Sequence, residues 1–394
     1  MRLGILATHP IQYHAPLYRA LAERIDLQVY FAHQQTAEGQ AKAGFGVAFE
    51  WDVPLLEGYP HEFLTNTAAS PDVSTFWGCS TPEISDIIAQ EQFDAFLVNG
   101  WYNRSFWQAM CACWRTSTPL FVRGDSQLGT PRSLPLRLAK EAAYRAFIPR
   151  FDAYLVVGER SREYYRYYGA RSDRMFFVPH FVDNAAFELA AAEIYLQRDA
   201  YRTERTISPH VPVALFVGKF IDVKRPLDFV RGVASLAERI PGLEGVMVGA
   251  GPLQPDIEAE VERLEAPVHL LGFMNQSDIP KAYALADILV LPSTTETWGL
   301  VVNEAMACGL PAVVSDEVGC AADLIDPGAT GETYPMGDVD ALVMALERAL
   351  QIAGAPGTPQ ALAEKMRLYS LDTAVDGILA ALKQWARSPR MPVS

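Results

Sequence analysis

Cysteine is scarce: five residues, at positions 79, 111, 113, 308 and 320, in a chain of 394. The number is odd and no CxxC pair occurs, which argues against structural zinc and more strongly against a disulfide framework. Such usage fits a reducing, cytosolic setting. Positive charge is also short. Lys and Arg total 33 against 47 Asp and Glu, a formal charge of −14. A general nucleic-acid binder needs an excess of cations to displace counterions, so nucleic acid is excluded as a partner and only a local basic surface is left open. Long hydrophobic runs are missing too. No stretch reaches about 18 uninterrupted apolar residues, so no membrane-spanning helix is expected. The opening MRLGILATHPIQYH has one apolar pentad before His, Gln and Tyr. It is too short for a signal-peptide core and lacks a small-residue cleavage site. These absences place the protein in the cytoplasm, working from the aqueous side.

What is present is a globular composition, half hydrophobic and one fifth charged, with length for two or three domains. Short apolar runs alternate with amphipathic stretches. Leu3–Ala7, Leu27–Ala32, Ala95–Val98, Leu120–Arg123 and Ala153–Val157 read as buried strands, with helical patterns such as Ala15–Glu23 and Pro82–Glu91 between them. The pattern restarts at Val213–Val217 and continues through Gly245–Val248, His269–Leu271, Ile288–Leu291 and Ala312–Ser315. Between these lie the helical stretches Pro226–Arg239, Gln254–Leu264, Ile279–Ala286 and Leu300–Cys308. Strand and helix alternating in this way imply parallel sheets covered on both faces. The expected division is a first doubly wound domain over 1–182, a partly helical linker over 183–211, a second doubly wound domain over 212–370, and a C-terminal helix and tail over 371–394. Ligands of such sheets bind beyond the carboxyl ends of the strands, so a site is expected in the cleft between two tandem domains.

The motifs do follow strand ends. After ILVLPS comes Glu296-Thr-Trp298-Gly299-Leu300, then Glu304, with Gly309 and Pro311 as stop signals for the helix that starts near Trp298. Gly299 permits close backbone approach, and the unsatisfied N–H groups of a helix start suit a diphosphate. Two carboxylates bracketing that anion could accept from sugar hydroxyls; the alternative is a helix-terminus charge plus an exposed helix Glu. Val213–Val217 is followed by Gly218, Lys219, Lys224 and Pro226. Two cations at a strand end suit the phosphates of a leaving diphosphate, and a solvated loop is the alternative. Gly249-Ala-Gly251-Pro252-Leu253 is a glycine turn opening a helix. It is not a dinucleotide fingerprint, because Gln254 occupies the place of the third small residue, which disfavours a dehydrogenase.

The ordered set VGK…K, VGAGPL, LGF, ADILVLPS…E-x7-E…GLP over about residues 210–350 closely resembles the second domain of family 4 glycosyltransferases. That resemblance implies a GT-B fold, two Rossmann-like doubly wound domains facing each other across a cleft, and a retaining transfer from a nucleotide sugar. It implies that Lys219 and Lys224 hold the diphosphate, Glu304 accepts from the ribose and Glu296 contacts the donor sugar. Gly218, Trp298, Gly299 and Leu300 would join the donor site, with Gly272 and Phe273 near the base. Trp298 stands where Phe is commoner in the family. Lys219 stands where Arg is usual, which removes a bidentate phosphate contact. His180-Phe181 replaces the commoner Asn-Gly.

The first domain fits more loosely. The family's glycine-rich first loop is replaced by Thr8-His9-Pro10-Ile11-Gln12-Tyr13-His14. His9, Gln12 and His14 read as acceptor-side residues, or as a cap for the following helix. After PLFV comes Arg123-Gly124-Asp125. Asp125 takes the place where the family often has a His near the reacting centre, unless it is a turn cap, and Arg123 is counted on the acceptor side. Trp101, Tyr102 and Asn103 are read as lining the acceptor side, with core packing as the alternative.

The donor is expected to be UDP- or GDP-linked and the acceptor a carbohydrate or lipid-linked hydroxyl. No cofactor and no metal is expected. Asp338-Val-Asp340 has a metal-binding form, but it precedes a helical stretch and reads better as an N-cap followed by a first-turn charge. The basic stretch 132–150 (Arg132, Arg137, Lys140, Arg145, Arg150) reads either as a peripheral contact with the inner face of a membrane or, preferably, as an ordinary surface helix. Two other readings of the whole are an epimerase or hydrolase on the same fold, and a non-enzymatic nucleotide-sugar-binding protein.

Overall fold

The computed structural model describes residues 1–36, 49–128 and 134–386. Arg132 and residues 387–394 fall outside the described residues, so the readings placed on them are not addressed by the structure. The chain forms two compact units. One comprises 1–35, 54–180 and the chain from Leu371; the other comprises 181–370 together with 36–53.

The first unit is built on a seven-stranded sheet: β1 (Arg2–Ala7), β2 (Asp26–Phe31), β3 (His61–Phe63), β4 (Ala95–Val98), β5 (Leu120–Gly124), β6 (Ala153–Val156) and β7 (Met175–Phe177). Their order is β3-β2-β1-β4-β5-β6-β7, with every pairing parallel. β4 and β6 are buried at every residue, as continuous apolar runs must be when helices cover both faces. β3 and β7 were not expected as strands; at three residues each they are too short to show a period. The helix Leu371–Trp385 returns to this unit and packs on β6, β7 and the helix Ala15–Ala22. Contact is close at Gly377, where a Cβ would lie 2.0 Å from the Phe177 carbonyl oxygen. Arg24 to Asp376 at 3.2 Å, and Arg174 stacked 4.5 Å above Trp385, hold the same face.

The second unit carries β8 (Val213–Val217), β9 (Glu244–Val248), β10 (Val268–Gly272), β11 (Ile288–Leu291), β12 (Ala312–Ser315) and β13 (Gly331–Tyr334). They lie in the order β10-β9-β8-β11-β12-β13, again all parallel. The stretch read as a linker holds the helices Asn184–Tyr195 and Arg198–Thr203, which pack on the helix Ile279–Leu285 of this unit. Arg202 is 2 % exposed and donates to the Leu285, Pro209 and Val211 carbonyls, while its ion pair with Asp287 spans 3.2 Å. The helix Thr358–Leu368 belongs to this unit, and the expected C-terminal helix is Leu371–Trp385 in the first unit.

In both sheets the chain leaves the first strand in one direction and later resumes in the other. The switch points lie between β1 and β4 and between β8 and β11. Loops splay apart at such points, beyond the carboxyl ends of the strands, and leave a crevice.

Candidate functional site

In the second unit the switch point brings together two sequence-distant motifs. The β8 loop runs through Gly218 and Lys219 to a short turn at Asp222–Lys224, and Arg225 then adopts left-handed backbone before Pro226 opens a helix. From the β11 loop, Glu296 forms an ion pair with Lys224 through its Oε2, both side chains being one-fifth exposed. Thr294 N–H donates to the Val223 carbonyl at 2.8 Å and ties the two loops together. Burial depresses the pKa of Lys219, Lys224 adds to that, and Glu296 opposes it. Two cations and one carboxylate are therefore gathered beyond the end of β8, near enough for both Lys224 and Glu296 to act on the Lys219 ammonium.

The glycine turn after β9 has a steric cause. A Cβ on Gly249 would sit 1.9 Å from the Gly218 carbonyl oxygen, and one on Gly251 2.5 Å from that of Phe220. Phe220 N–H reaches the Ala250 carbonyl at 2.9 Å. The β9 loop is thus pressed against the β8 loop, and only glycine fits.

Gly299, at φ +103°, turns the chain into the helix Leu300–Ala307 with no side-chain cap on its first N–H groups. Trp298 lies beneath, 4 % exposed, its indole N–H donating to Asn303 Oδ1 at 2.8 Å and its ring 5.8 Å from that of Tyr369. Trp298 therefore braces this turn from inside. Glu304 is not the exposed helix Glu of the alternative reading: it is 2 % exposed, and its Oε2 accepts from the Tyr283 hydroxyl at 2.6 Å. A buried carboxylate held in this way is oriented. Gly272 ends β10 at φ +74° after a register shift, and the Phe273 ring follows.

One partner of this region escaped the sequence reading. Phe49 packs on Phe273 with centroids 4.6 Å apart, Asn275 Nδ2 donates to the Glu50 carbonyl at 2.8 Å, and Ser277 N–H donates to Asp52 at 3.2 Å. Residues 49–53, placed by sequence in the first domain, therefore cluster with the second unit. Nothing in their pattern marks this, because the contact lies more than two hundred positions away in the chain.

In the first unit, His9 and His14 follow β1, Arg123 and Asp125 lie at the end of β5, and His180 lies beyond β7. His9 Nδ1 is 3.0 Å from Thr8 Oγ1, which also lies 3.3 Å from the Tyr102 hydroxyl. His180 Nε2 is 3.9 Å from Asp125 Oδ2, and Arg123 Nη2 donates to the Pro179 carbonyl at 3.0 Å. Burial lowers the His9 pKa to about 4, with His33 contributing, and lowers the His14 pKa to about 3, with Arg123 and His9 contributing. His180 also moves well down, from burial and then Arg123 and His14. Gln12 is half-buried in the turn before the helix Ala15–Ala22.

The three residues read together after β4 separate. Tyr102 is half exposed. Trp101, 9 % exposed, sits among Tyr144, Phe147, Tyr164 and Tyr165, with its indole N–H on Tyr144 Oη at 3.1 Å. Asn103 is fully buried and caps the helix Arg104–Thr116 by accepting from Phe106 N–H at 3.1 Å. Core packing and capping account for both of these, and their side chains do not stand free to stack on or bind a ligand.

Asp338 caps the helix Val339–Ala353, accepting from Ala341 N–H at 2.9 Å. Among the described residues no three His, Cys, Asp or Glu side chains converge in a way that could hold a metal ion. Nor is any described helix long and apolar enough to cross a membrane. In the basic stretch, Lys140 lies 4.8 Å from the Tyr144 ring, Arg145 lies 5.1 Å from Tyr167, and Arg150 lies 4.5 Å from Trp114.

Two parallel α/β units, each with a crevice at a topological switch point, define the GT-B fold. Solved structures of that kind cover the chain nearly end to end. HepE (Alr3699) of Anabaena, determined in complex with UDP, aligns over 98 % of this chain and 100 % of its own, at 17 % identity and a TM-score of 0.72. A glycosyltransferase from Rickettsia africae ESF-5 aligns over 97 % and 98 %, at 15 % identity and a TM-score of 0.73. Residues 197–369 match the family described as glycosyl transferases group 1. The D-inositol 3-phosphate glycosyltransferase of Nocardia farcinica is 29 % identical over 242 residues, 59 % of this chain and 51 % of that protein. The sulfoquinovosyl transferase SQD2 of Arabidopsis thaliana is 34 % identical over 145 residues, 36 % of this chain and 27 % of that protein. The chain thus spans about half the length, or less, of these curated relatives.

Proposed function

We propose that the protein is a retaining glycosyltransferase that moves a sugar from a UDP- or GDP-linked donor to a hydroxyl of a carbohydrate or lipid-linked acceptor, in the making of a glycan, polysaccharide or glycolipid of the cell envelope. The observation that carries this reading is the Lys224–Glu296 pair, set beside Lys219 at the switch point of the second sheet. The donor sites of the structural relatives lend support: HepE has been solved with UDP and with UDP-glucose.

In this reading the second unit holds the donor and the first holds the acceptor. Lys219 and Lys224 carry the diphosphate, assisted by the backbone N–H groups at Gly299 and Leu300. Gly218 leaves room beside them, and Phe273 borders the base. Glu296, already set by Lys224, accepts from a hydroxyl of the donor sugar, while Glu304, set by Tyr283, accepts from the ribose. Negative charge grows on the diphosphate as the glycosidic bond breaks. Fixed cations placed where that charge develops, in a site sheltered from water, are the main source of acceleration, and positioning supplies the rest. For retention, the acceptor attacks from the face the diphosphate leaves, and the departing phosphate oxygen takes the acceptor's proton. No metal ion takes part. The cations of 138–150, stacked on rings of their own unit, favour a plain surface helix over a lipid contact.

A panel of nucleotide sugars read by thermal shift is the first test, because a ligand at one hundred times its Kd adds about 2.7 kcal/mol to apparent stability. The stabilising donor is then incubated with candidate acceptors. Gain of one sugar mass on the acceptor, with the donor's anomeric configuration kept by NMR, is the expected result. If no nucleotide stabilises the protein, or sugar is released with no acceptor modified, the proposal is wrong.

A further inference from the structure

The first unit contains a buried cation that forms no ion pair among the described residues. Arg123 is 6 % exposed. Its Nη2 donates to the Pro179 carbonyl, its Nε is buried and meets no hydrogen-bond partner among the described residues, and no carboxylate among them forms an ion pair with it. Asp125 and the Tyr18 and Tyr165 hydroxyls are near enough to favour its charge, but burial outweighs them. An uncompensated guanidinium inside a protein is costly enough that such groups are normally paired. His14 contributes a buried Nδ1 that also meets no hydrogen-bond partner. His14 opens the helix Ala15–Ala22, which has no side-chain cap; Ala15 N–H donates to the Ile11 carbonyl at 3.3 Å and Pro16 has no N–H. His180, from beyond β7, feels both Arg123 and His14. Arg123 and His180 are linked through the Pro179 carbonyl, and β1, β5 and β7, after which these groups lie, end on one edge of the sheet.

We propose that Arg123, His14 and His180 form an oxyanion site, and that the acceptor carries the oxyanion: a phosphate monoester or a carboxylate on the acceptor sugar. The inference deepens the reading of the first unit as the acceptor unit and rests on it. An oxyanion there takes the Arg123 Nε–H as its acceptor side, supplies the absent counterion, and meets the positive end of a helix. It also changes the histidines. The titratable and charged groups that bear on them are His9 and His14 from the β1 loop with His33 behind His9, Tyr18 from the helix Ala15–Ala22, Arg123 and Asp125 from the end of β5, His180 from beyond β7 and Tyr165 from the helix Glu159–Tyr167. Without the anion, the cation and burial hold the imidazoles neutral. With it, protonation becomes favourable, so binding takes up a proton and tightens as pH falls.

The test uses the full chain and two probes whose own charge is constant across the range, sulfate for the phosphate source and glucuronate for the carboxylate source, with glucose as the neutral control. Histidine NMR and calorimetry are run at pH 5.5 and 7.5. The expected result is binding of one or both anions, about tenfold tighter at the lower pH for each unit over which one proton is taken up, with the His14 and His180 resonances titrating upward and glucose without effect. Arg123→Gln is expected to weaken the favoured anion at least about tenfold, the scale of a lost hydrogen bond to a charged group. Should that variant fail to fold, His14→Gln, which keeps a polar side chain, is expected to reduce the pH dependence. Sulfate alone identifies a phosphate acceptor, and glucuronate alone a carboxylate acceptor. No binding of either anion by the native protein overturns the proposal, as does equal binding by Arg123→Gln. If Arg123→Gln weakens UDP instead, the oxyanion belongs to the donor and the acceptor assignment fails. UDP stabilisation of the native protein reports on the glycosyltransferase reading separately, so failure of the two is distinguishable.

Discussion

The Lys224–Glu296 pair separates stability from turnover, and a double-mutant cycle reads both. Lys224→Met keeps the length of the side chain and removes its charge; Glu296→Gln keeps the shape and removes the other. Both side chains are one-fifth exposed. Exposed pairs are worth about 0.2–1 kcal/mol, whereas breaking a fully buried pair costs about 3–5 kcal/mol because the remaining charge is stranded. A pair four-fifths buried lies between, so each single substitution is expected to cost about 1–2 kcal/mol. The double variant strands neither partner of the pair and removes one nearby charge of each sign from Lys219. It should be more stable than the sum of the single losses implies, with a coupling energy of about 1–2 kcal/mol. Urea denaturation of the four proteins measures this. Turnover should behave differently: Lys224→Met should lower it about a hundredfold or more, the scale of one lost oxyanion donor, and the double variant should not recover it. Additive stability losses would show that the pair is not formed in solution. Full turnover by Lys224→Met would show that the cation does not serve the diphosphate.

Gly249→Ala should destabilise the second unit by about 3 kcal/mol or more, since the new methyl group would lie 1.9 Å from the Gly218 carbonyl oxygen; a melting temperature within a degree of the native value would contradict the packing described. Asp125→Asn should lower turnover about a hundredfold, because it removes a charge that would stabilise the positive charge developing at the anomeric carbon, with donor affinity and melting temperature kept; a fall in melting temperature together with turnover would make the residue structural. Turnover should persist in excess chelator, and strict dependence on magnesium or manganese would refute the two-lysine account of phosphate neutralisation. Acid should destabilise the first unit early. His9 and His14 have folded-state pKa values of about 4 and 3 against 6.5 for free imidazole, so the unfolded chain binds more protons below pH 6.5. Stability is therefore full above that value and falls as pH drops from it toward 4. His14→Gln should flatten this slope in melts run from pH 7 to 5, and an unchanged slope would remove His14 as its source.

Much of the candidate site in the second unit was legible because its signals are local. A lysine pair at a strand end, a glycine turn and a carboxylate before a helix each lie within a few residues, and periodicity places each after a strand. The helix Gln254–Leu264 was bounded as found, and its neighbours to within a residue or two. Less legible were elements whose identity depends on distant partners. β3, β7 and β13 have three or four residues each, too few for a period, and are strands because a neighbouring strand supplies their hydrogen bonds. The helices at 184–203 looked like a connector because their apolar positions have no clear single face, yet Phe187 and Arg202 are buried against the second unit.

The sequence by itself determined the class of fold, the number of sheets and the strand ends at which chemistry collects, since apolar runs, turn residues and charges act over short distances along the chain. Only the tertiary structure decided what each of those side chains is used for. Trp101 and Tyr102 are adjacent in sequence, but one closes an aromatic core and the other faces outward. Glu296 and Glu304 form one motif, yet the first pairs with Lys224 and the second is buried beneath Tyr283. Arg123 read as one more acceptor-side cation until burial left it without a counterion. Burial and pairing depend on which distant elements arrive at the same place, and that information is spread over the whole chain rather than written at the residue concerned.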